Sequence, residues 1–279
     1  MKKQNNFGVV MIDLTTYEVI KSESSSKGNQ LKFYNNGYWI KLDSHNCYEG
    51  LAEDFVSKFL QCIYDFNFVT YTSDKFVYND EIYTGCYSYN MYNDLGINFV
   101  SLRHLFRGNG VPLNIFIKED DTAKNILNVL NEVFRLTSVD ISKYLFDILL
   151  LDALILNEDR HYMNLGVVTN GVEYANAQCF DNGSSLFCTN WTYRKTKSLE
   201  ENIKSARSVA RPFSKFFDKQ VDACISLGAQ PLVINKRALD SLMMSYNNAF
   251  YSDELNTRIK CVLSNRLAYY YEKGVYIYV

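Results

Sequence analysis

The sequence predicts an α+β chain in two lobes: a β-rich part over residues 1–115 with one helix, then a helical part over residues 116–279. Three observations predict it. Short apolar/polar alternations and a hairpin signal fill the first part. Long segments with apolar residues every three to four positions fill the second. Two polar motifs fall in the second part, Asn157-Glu158-Asp159-Arg160-His161-Tyr162-Met163-Asn164 and Phe180-Asp181-Asn182-Gly183. Polar loops set into an otherwise regular frame are where chemistry is usually carried.

The elements follow in order. Val9–Ile12 and Tyr17–Ile20 alternate loosely, as strands do. Leu31–Tyr34 and Tyr38–Leu42 flank Asn35-Asn36-Gly37, a hairpin-turn signal. Tyr48–Tyr64 has helical spacing, with Leu51, Phe55, Phe59 and Cys62 on one face and Ala52, Val56 and Ile63 beside them. Val69–Tyr71 and Phe76–Tyr78 read as short strands. Asp120–Leu136 and Ser138–Leu156 read as helices, the second apolar on most faces and therefore buried. Gly166–Val168 and Val172–Ala175 bracket Thr169-Asn170-Gly171 as a hairpin that delivers the chain to Phe180-Asp181. Ser214–Leu227, Asn235–Tyr251 and Asp253–Tyr271 complete the helices.

Composition narrows the class. A chain of 279 residues with 47% hydrophobic content can build a sizeable core, and only 3 Pro and 13 Gly argue against a linker-rich or disordered protein. A net charge of −2 gives no reason to expect direct nucleic-acid binding. The 7 cysteines are odd in number and widely spaced, with no Cys-x-x-Cys pair. With no signal peptide at Met1-Lys2-Lys3-Gln4-Asn5-Asn6, they read as reduced thiols of a cytoplasmic protein, a secreted effector being the alternative. The most apolar run, Tyr144–Leu156, carries Asp147 and Asp152 and is too short to span a bilayer, so no transmembrane segment is expected.

The two motifs point to phosphoryl transfer. Asp159 and Asn164 have an Asp-x-x-x-x-Asn spacing, and Asp181 follows Asp159 by 22 positions in an Asp-x-Gly turn. Phosphoryl transfer needs little covalent chemistry from a protein. It needs oxygen ligands that place Mg²⁺ on the β- and γ-phosphates of ATP, and a group that orients the incoming hydroxyl or takes its proton. Mg²⁺ usually takes only one or two carboxylates, the rest of its shell being phosphate and water. Asp159 is the candidate catalytic base, and Asn164 and Asp181 are the candidate metal ligands. Protein kinases write the first element in His-Arg-Asp order, whereas this chain has Asp-Arg-His.

The β-rich lobe should supply a cation for the phosphates, held by a Glu from the next helix. Lys41 is the candidate, since on an alternating strand it points away from Ile40 and Leu42. Glu53 and Glu49 share a face of the following helix, and either could reach it; Glu53 is favoured because Glu49 lies near the helix start. No Gly-x-Gly-x-x-Gly or Gly-x-x-x-x-Gly-Lys-Ser/Thr occurs. The loop around Ser24-Ser25-Ser26-Lys27-Gly28-Asn29, through Ser26 and Gly28, is the candidate phosphate cover, with a plain solvated loop as the alternative. The adenine-contacting link is placed near Ser101–Arg107.

With these residues, the chain resembles the HipA-like Ser/Thr kinases, in particular a short single-chain branch related to a bacterial cell-translocating kinase. The matching pieces are Trp39-Ile40-Lys41-Leu42-Asp43, Tyr48-Glu49-Gly50-Leu51-Ala52-Glu53, Gly85-Cys86-Tyr87-Ser88, the Asn157–Asn164 motif, Phe180-Asp181-Asn182-Gly183-Ser184-Ser185-Leu186, and Ala210-Arg211-Pro212-Phe213-Ser214. The resemblance implies a two-lobed, protein-kinase-like fold, ATP and Mg²⁺ as cofactors, and a protein substrate with a Ser or Thr acceptor. It implies that His161 supports the catalytic loop or contacts phosphate. It also implies self-phosphorylation of a serine in the phosphate-side loop, here among Ser22, Ser24, Ser25 and Ser26, and an antitoxin partner as in many members. The Asp-Arg-His-x-x-Asn and Phe-Asp-x-Gly pieces are shared with phosphatidylinositol kinases, so a lipid kinase is one alternative. A catalytically silent kinase-like binding module is another. Asn190–Lys197 is the one stretch of mixed aromatic and basic residues that would suit a membrane surface, an acidic protein or RNA.

Overall fold

The structure is a computed structural model that describes residues 2–4, 10–20, 30–90, 92, 95–113, 121–189 and 192–279. Ser22, Ser24, Ser25, Ser26 and Gly28 lie outside the described residues. The first part is a six-stranded sheet of β1 (Lys2–Gln4), β2 (Val10–Asp13), β3 (Lys32–Asn35), β4 (Tyr38–Leu42), β5 (Thr72–Tyr78) and β6 (Glu81–Tyr89), in the order β1-β2-β5-β6-β4-β3. All neighbours are antiparallel except β2 and β5. The β3–β4 turn is the expected one: Asn36 and Gly37 both have positive φ, the conformation a two-residue hairpin requires.

One face of this sheet is apolar and closes over Leu14, Phe33, Ile40, Leu42 and Phe76. The other carries α1 (Glu49–Leu60), packed on β5 and β6. Alternation on β4 therefore sends Ile40 and Leu42 into the small core and Lys41 toward α1. Two glycines permit this close packing. A Cβ on Gly50 would lie 2.6 Å from the Gly85 backbone, and a Cβ on Gly85 would run into the Lys41 carbonyl oxygen.

Helix α1 is buried almost all round, Lys58 being the exception, because its far side joins the main core. That core continues through α2 (Leu102–Gly108), α3 (Thr122–Thr137), α4 (Ser142–Ile155), α5 (Leu199–Ser205), α6 (Phe217–Ser226), α7 (Lys236–Ser245) and α8 (Asp253–Tyr271). Helix α4 is the buried apolar helix the sequence predicts; it starts at Ser142 because Ser138 adopts a left-handed conformation that ends α3. Helix α7 stops at Ser245, short of the expected Tyr251, and Asn248 beyond it bonds Ser73 and Asp54. A three-stranded antiparallel sheet joins β7 (Asn98–Ser101), β8 (Gly166–Thr169) and β9 (Tyr174–Asn176), and β10 (Leu232–Ile234) pairs in parallel with β11 (Tyr276–Tyr278). Strand β7, from the segment assigned to the β-rich part, thus lies against the hairpin of the helical part.

Several elements depart from the sequence expectations. Tyr17–Ile20 contributes only an isolated bridge, Val19 to Phe33. Strand β6 has no counterpart among the expected strands, although Tyr83 and Tyr87 alternate with Thr84, Cys86 and Ser88 and pack on the small core. Ser101–Arg107, placed as a link, is mostly helix α2, capped by Ser101 accepting the His104 N–H at 3.2 Å. No helix among the described residues is long and apolar enough to cross a membrane.

Candidate active site

Lys41 is buried between two carboxylates. Its Nζ lies 2.9 Å from Glu53 Oε1 and 2.7 Å from Asp181 Oδ1, with the Tyr71 ring centroid 4.7 Å away. Glu53 comes from the inner face of α1, and its other oxygen accepts the Asn182 N–H at 2.9 Å. One carboxylate thus holds the β-lobe cation and the turn of the helical lobe together. Glu49, the alternative partner, does not reach Lys41. It accepts the Ser44 N–H at 3.1 Å and packs at 3.0 Å from where a Cβ on Gly183 would lie. Asp43 anchors the start of α1 through the Gly50 N–H at 2.6 Å, and also accepts from Thr84 and Tyr251.

The Phe180-Asp181-Asn182 turn is strained and firmly held. Asp181 has φ +62°, a conformation uncommon for a non-glycine residue. Backbone bonds Val69 N–H to Cys179 O and Cys179 N–H to Asn67 O, both 2.9 Å, fix the chain leading in. Arg160 fixes the turn itself. Its Nη1 donates to the Phe180 carbonyl and its Nη2 to Asn182 Oδ1, each at 2.7 Å, while Nε and Nη2 form a fork on Asp152 of α4. Arg160 and Asp152 are each 1% exposed. The motif arginine therefore ties the Asp159–Asn164 loop, α4 and the Phe180–Asn182 turn into one unit.

Of the remaining motif residues, Asn164 reaches Asp181 and His161 adds to its field. Asn164 Nδ2 lies 3.4 Å from Asp181 Oδ2 and 3.4 Å from the Asp159 carbonyl, and its Oδ1 accepts the His161 N–H at 2.8 Å. His161 Nδ1 is buried and makes no hydrogen bond among the described residues. The Asp159 N–H is held by Asn157 Oδ1 at 3.1 Å. Arg103 N–H donates to the Tyr162 carbonyl and Leu102 N–H to that of Leu165, so α2 braces the same loop.

The local field favours a charged carboxylate at Asp181. Burial raises its pKa, but the Lys41 charge, then that of Lys32, then the Lys41 hydrogen bond and His161 outweigh it, holding the carboxyl far below its usual range. Burial likewise opposes the charge of Lys41, and Asp181 and Glu53 overcome it, so the ammonium is firmly held. Glu49 has no such cation. Burial, then the nearby Asp43, push it up to about 7.

Mg²⁺ suits this donor set in kind. One fully ionised carboxylate, its side chain 31% exposed, stands next to an amide, and Mg²⁺ needs few protein oxygens. Asn164 presents its nitrogen to Asp181, so ligation by its oxygen requires the amide to turn and release the His161 N–H. Among the described residues no cluster of three or more His, Cys, Asp or Glu is placed to hold a metal ion.

Two residues at the site carried no role in the sequence reading. Lys32 lies directly opposite Lys41 across the β3–β4 ladder and contributes to the field at Asp181. Its signal was available, since a two-residue turn at Asn36-Gly37 pairs 32 with 41. Arg160 lay within the motif, and the clue to its task was Asp152, a carboxylate inside an apolar helix that needs a buried cation.

The fold is the two-lobed, kinase-like α+β fold. Among solved structures the chain is similar to the proinflammatory kinase CtkA of Helicobacter pylori, with a TM-score of 0.63 over 95% of this chain and 97% of that one. Identity is 17%, so the likeness is one of fold. No family model matches the sequence, and no curated protein does.

Proposed function

We propose that this protein is an ATP- and Mg²⁺-dependent kinase that phosphorylates Ser or Thr of protein substrates. The observation that carries the reading is Lys41 bridging Glu53 and Asp181 across the two lobes at 2.9 and 2.7 Å. Bound MgATP supplies the phosphoryl group and neutralises part of its charge. In this reading Lys41 holds phosphate oxygens, with Lys32 adding positive potential beside it. Glu53 keeps Lys41 on station and positions the turn through the Asn182 N–H. Asp181 and Asn164 would hold the ion. Asp159 orients the acceptor hydroxyl and takes its proton, and His161 fixes the loop through its bond to Asn164.

The test is incubation with γ-labelled ATP and Mg²⁺, alone and with a cell lysate. Label should pass to protein, and Asp159→Asn should lower transfer about 10²–10⁴-fold while sparing nucleotide binding. A variant within a few fold of wild type removes Asp159 from this role. Label in lipid rather than protein would favour the lipid-kinase alternative. Mass spectrometry of the same sample reads self-phosphorylation at Ser22, Ser24, Ser25 or Ser26, which we also propose.

A further inference from the structure

Beyond the nucleotide site, the segment after the metal turn carries a cluster of cations. Arg207, Lys215 and Lys219 surround one aromatic ring, with Arg207 Cζ 4.8 Å, Lys215 Nζ 5.1 Å and Lys219 Nζ 5.6 Å from the Phe216 centroid. Arg211 stands exposed on the same loop with φ +52°. None of the four makes an ion pair among the described residues, although ion pairs are common elsewhere on this surface. Asp218, the one carboxylate between Arg207 and Lys219, is taken by the Tyr269 and Tyr270 hydroxyls at 2.9 and 2.7 Å. Three like charges gathered on one ring repel each other, and cation–π attraction offsets only part of that cost.

The cluster is fastened to the catalytic loop. Val209 and Ala210 N–H groups donate to the Glu158 carbonyl at 2.6 and 3.1 Å, and Glu158 immediately precedes Asp159. The Tyr162 hydroxyl donates to the Pro212 carbonyl at 3.0 Å, and the Ser208 N–H to the Lys215 carbonyl at 3.0 Å closes the loop on itself. Arg207 and Phe216 also line a cavity of 470 Å³. The chain as a whole has net charge −2, so the concentration of positive charge around Phe216 is local.

We infer that Arg207, Arg211, Lys215 and Lys219 form a docking site for an acidic segment of the protein substrate, rich in Asp and Glu near the acceptor hydroxyl. The inference rests on the kinase reading for its meaning, but binding can be measured without catalysis. An acidic segment suits the site because three of the cations converge on Phe216 where the chain passes from α5 to α6, and Arg211 is exposed on that same connection, so several carboxylates of one chain can be met together.

The experiment is fluorescence anisotropy with a labelled Ser-containing peptide flanked by Glu and Asp, and its isosteric Gln/Asn counterpart. The probes are applied to wild type and to a Lys215→Glu/Lys219→Glu variant checked for an unchanged melting temperature. The acidic peptide should bind about tenfold more tightly than the neutral one, as expected for a few exposed charge contacts, and the preference should weaken with salt. The variant should lose the preference and leave binding and phosphorylation of the neutral peptide unchanged. Equal binding of both peptides, or a preference kept by the variant, overturns the inference. So does retention on phosphatidylserine vesicles or single-stranded RNA without a peptide preference. A binding preference in a protein that transfers no phosphate would defeat the kinase reading and leave the site standing.

Discussion

Arg160 and Lys41 both hold the turn at Phe180-Asp181-Asn182, Arg160 through the Phe180 carbonyl and Asn182 Oδ1, Lys41 through Asp181 Oδ1. Both are buried, and both face carboxylates. Arg160 is enclosed: its acceptors are protein atoms on α4 and the turn, and its partner Asp152 is 1% exposed. Lys41 is buried too, but of its two carboxylates only Glu53 is enclosed, while Asp181 keeps 31% of its side chain exposed. A buried charge with all its partners inside the fold stabilises a shape. A buried charge whose partner is open to solvent can exchange that partner for a ligand. The same turn therefore has a fixed side and an exchangeable side, which is what a site needs if it must stay in place while nucleotide comes and goes.

The comparison can be broken at either cation. Arg160→Leu leaves Asp152 as an uncompensated buried charge and frees the turn. Stability should fall by about 3–5 kcal/mol in urea unfolding. Adding Asp152→Leu should restore much of that stability without restoring the turn, because a buried ion pair replaced by apolar groups is often near neutral. An Arg160→Leu loss below about 1 kcal/mol would show that the arginine is not the fixed side.

Lys41→Met should behave differently. A lysine at an open cleft would be removable at little cost, but this one is buried between Glu53 and Asp181. The exposure of Asp181 softens the penalty, so a loss of about 1–3 kcal/mol is expected. The larger consequence is functional. ATP affinity should fall roughly 10–100-fold in calorimetry, the worth of a charge-assisted hydrogen bond or two. Unchanged ATP affinity would place the exchangeable side elsewhere.

Glu49 sharpens the contrast as a buried carboxylate with no ion pair among the described residues. The native protein holds its proton up to about pH 7, whereas the unfolded chain releases it near 4.5. Between those values the native state binds more protons, so its contribution to stability falls as pH rises. Glu49→Gln keeps an acceptor for the Ser44 N–H and should flatten the pH dependence across that window, stabilising the protein at pH 8 by about 1–2 kcal/mol. A variant as pH-dependent as wild type would contradict the assignment.

How legible this was in the sequence depended on whether a residue's partners were local. The Asn36-Gly37 hairpin, the face of β4 bearing Lys41, α1 with Glu53, the span of α8 and the buried character of α4 follow from periodicity and turn chemistry. Polar residues and short runs hid part of the rest. Ser73 and Asp74 hid the first half of β5, although Ser73 is buried by long-range bonds with Asp54 and Asn248. The strands β10 and β11, Leu232-Val233-Ile234 and Tyr276-Ile277-Tyr278, are apolar but only three residues each, and they pair across more than 40 residues. The spacing of Asp159, Asn164 and Asp181 singled out Asn164 and Asp181, whose side chains lie 3.4 Å apart. It did not show that Arg160 and Asp152 hold them there, because that contact runs through the buried interior of α4.

The central claim is that Asp181, kept ionised beside Lys41, belongs to a Mg²⁺-dependent nucleotide site. The direct measurement is thermal unfolding of wild type and Asp181→Ala with ATP alone, with Mg²⁺ alone and with both. Wild type should gain about 2.7 kcal/mol with both present at a hundredfold excess over Kd, more than with either alone. Asp181→Ala should lose the metal-dependent part. An identical metal-dependent gain in the variant would contradict the account.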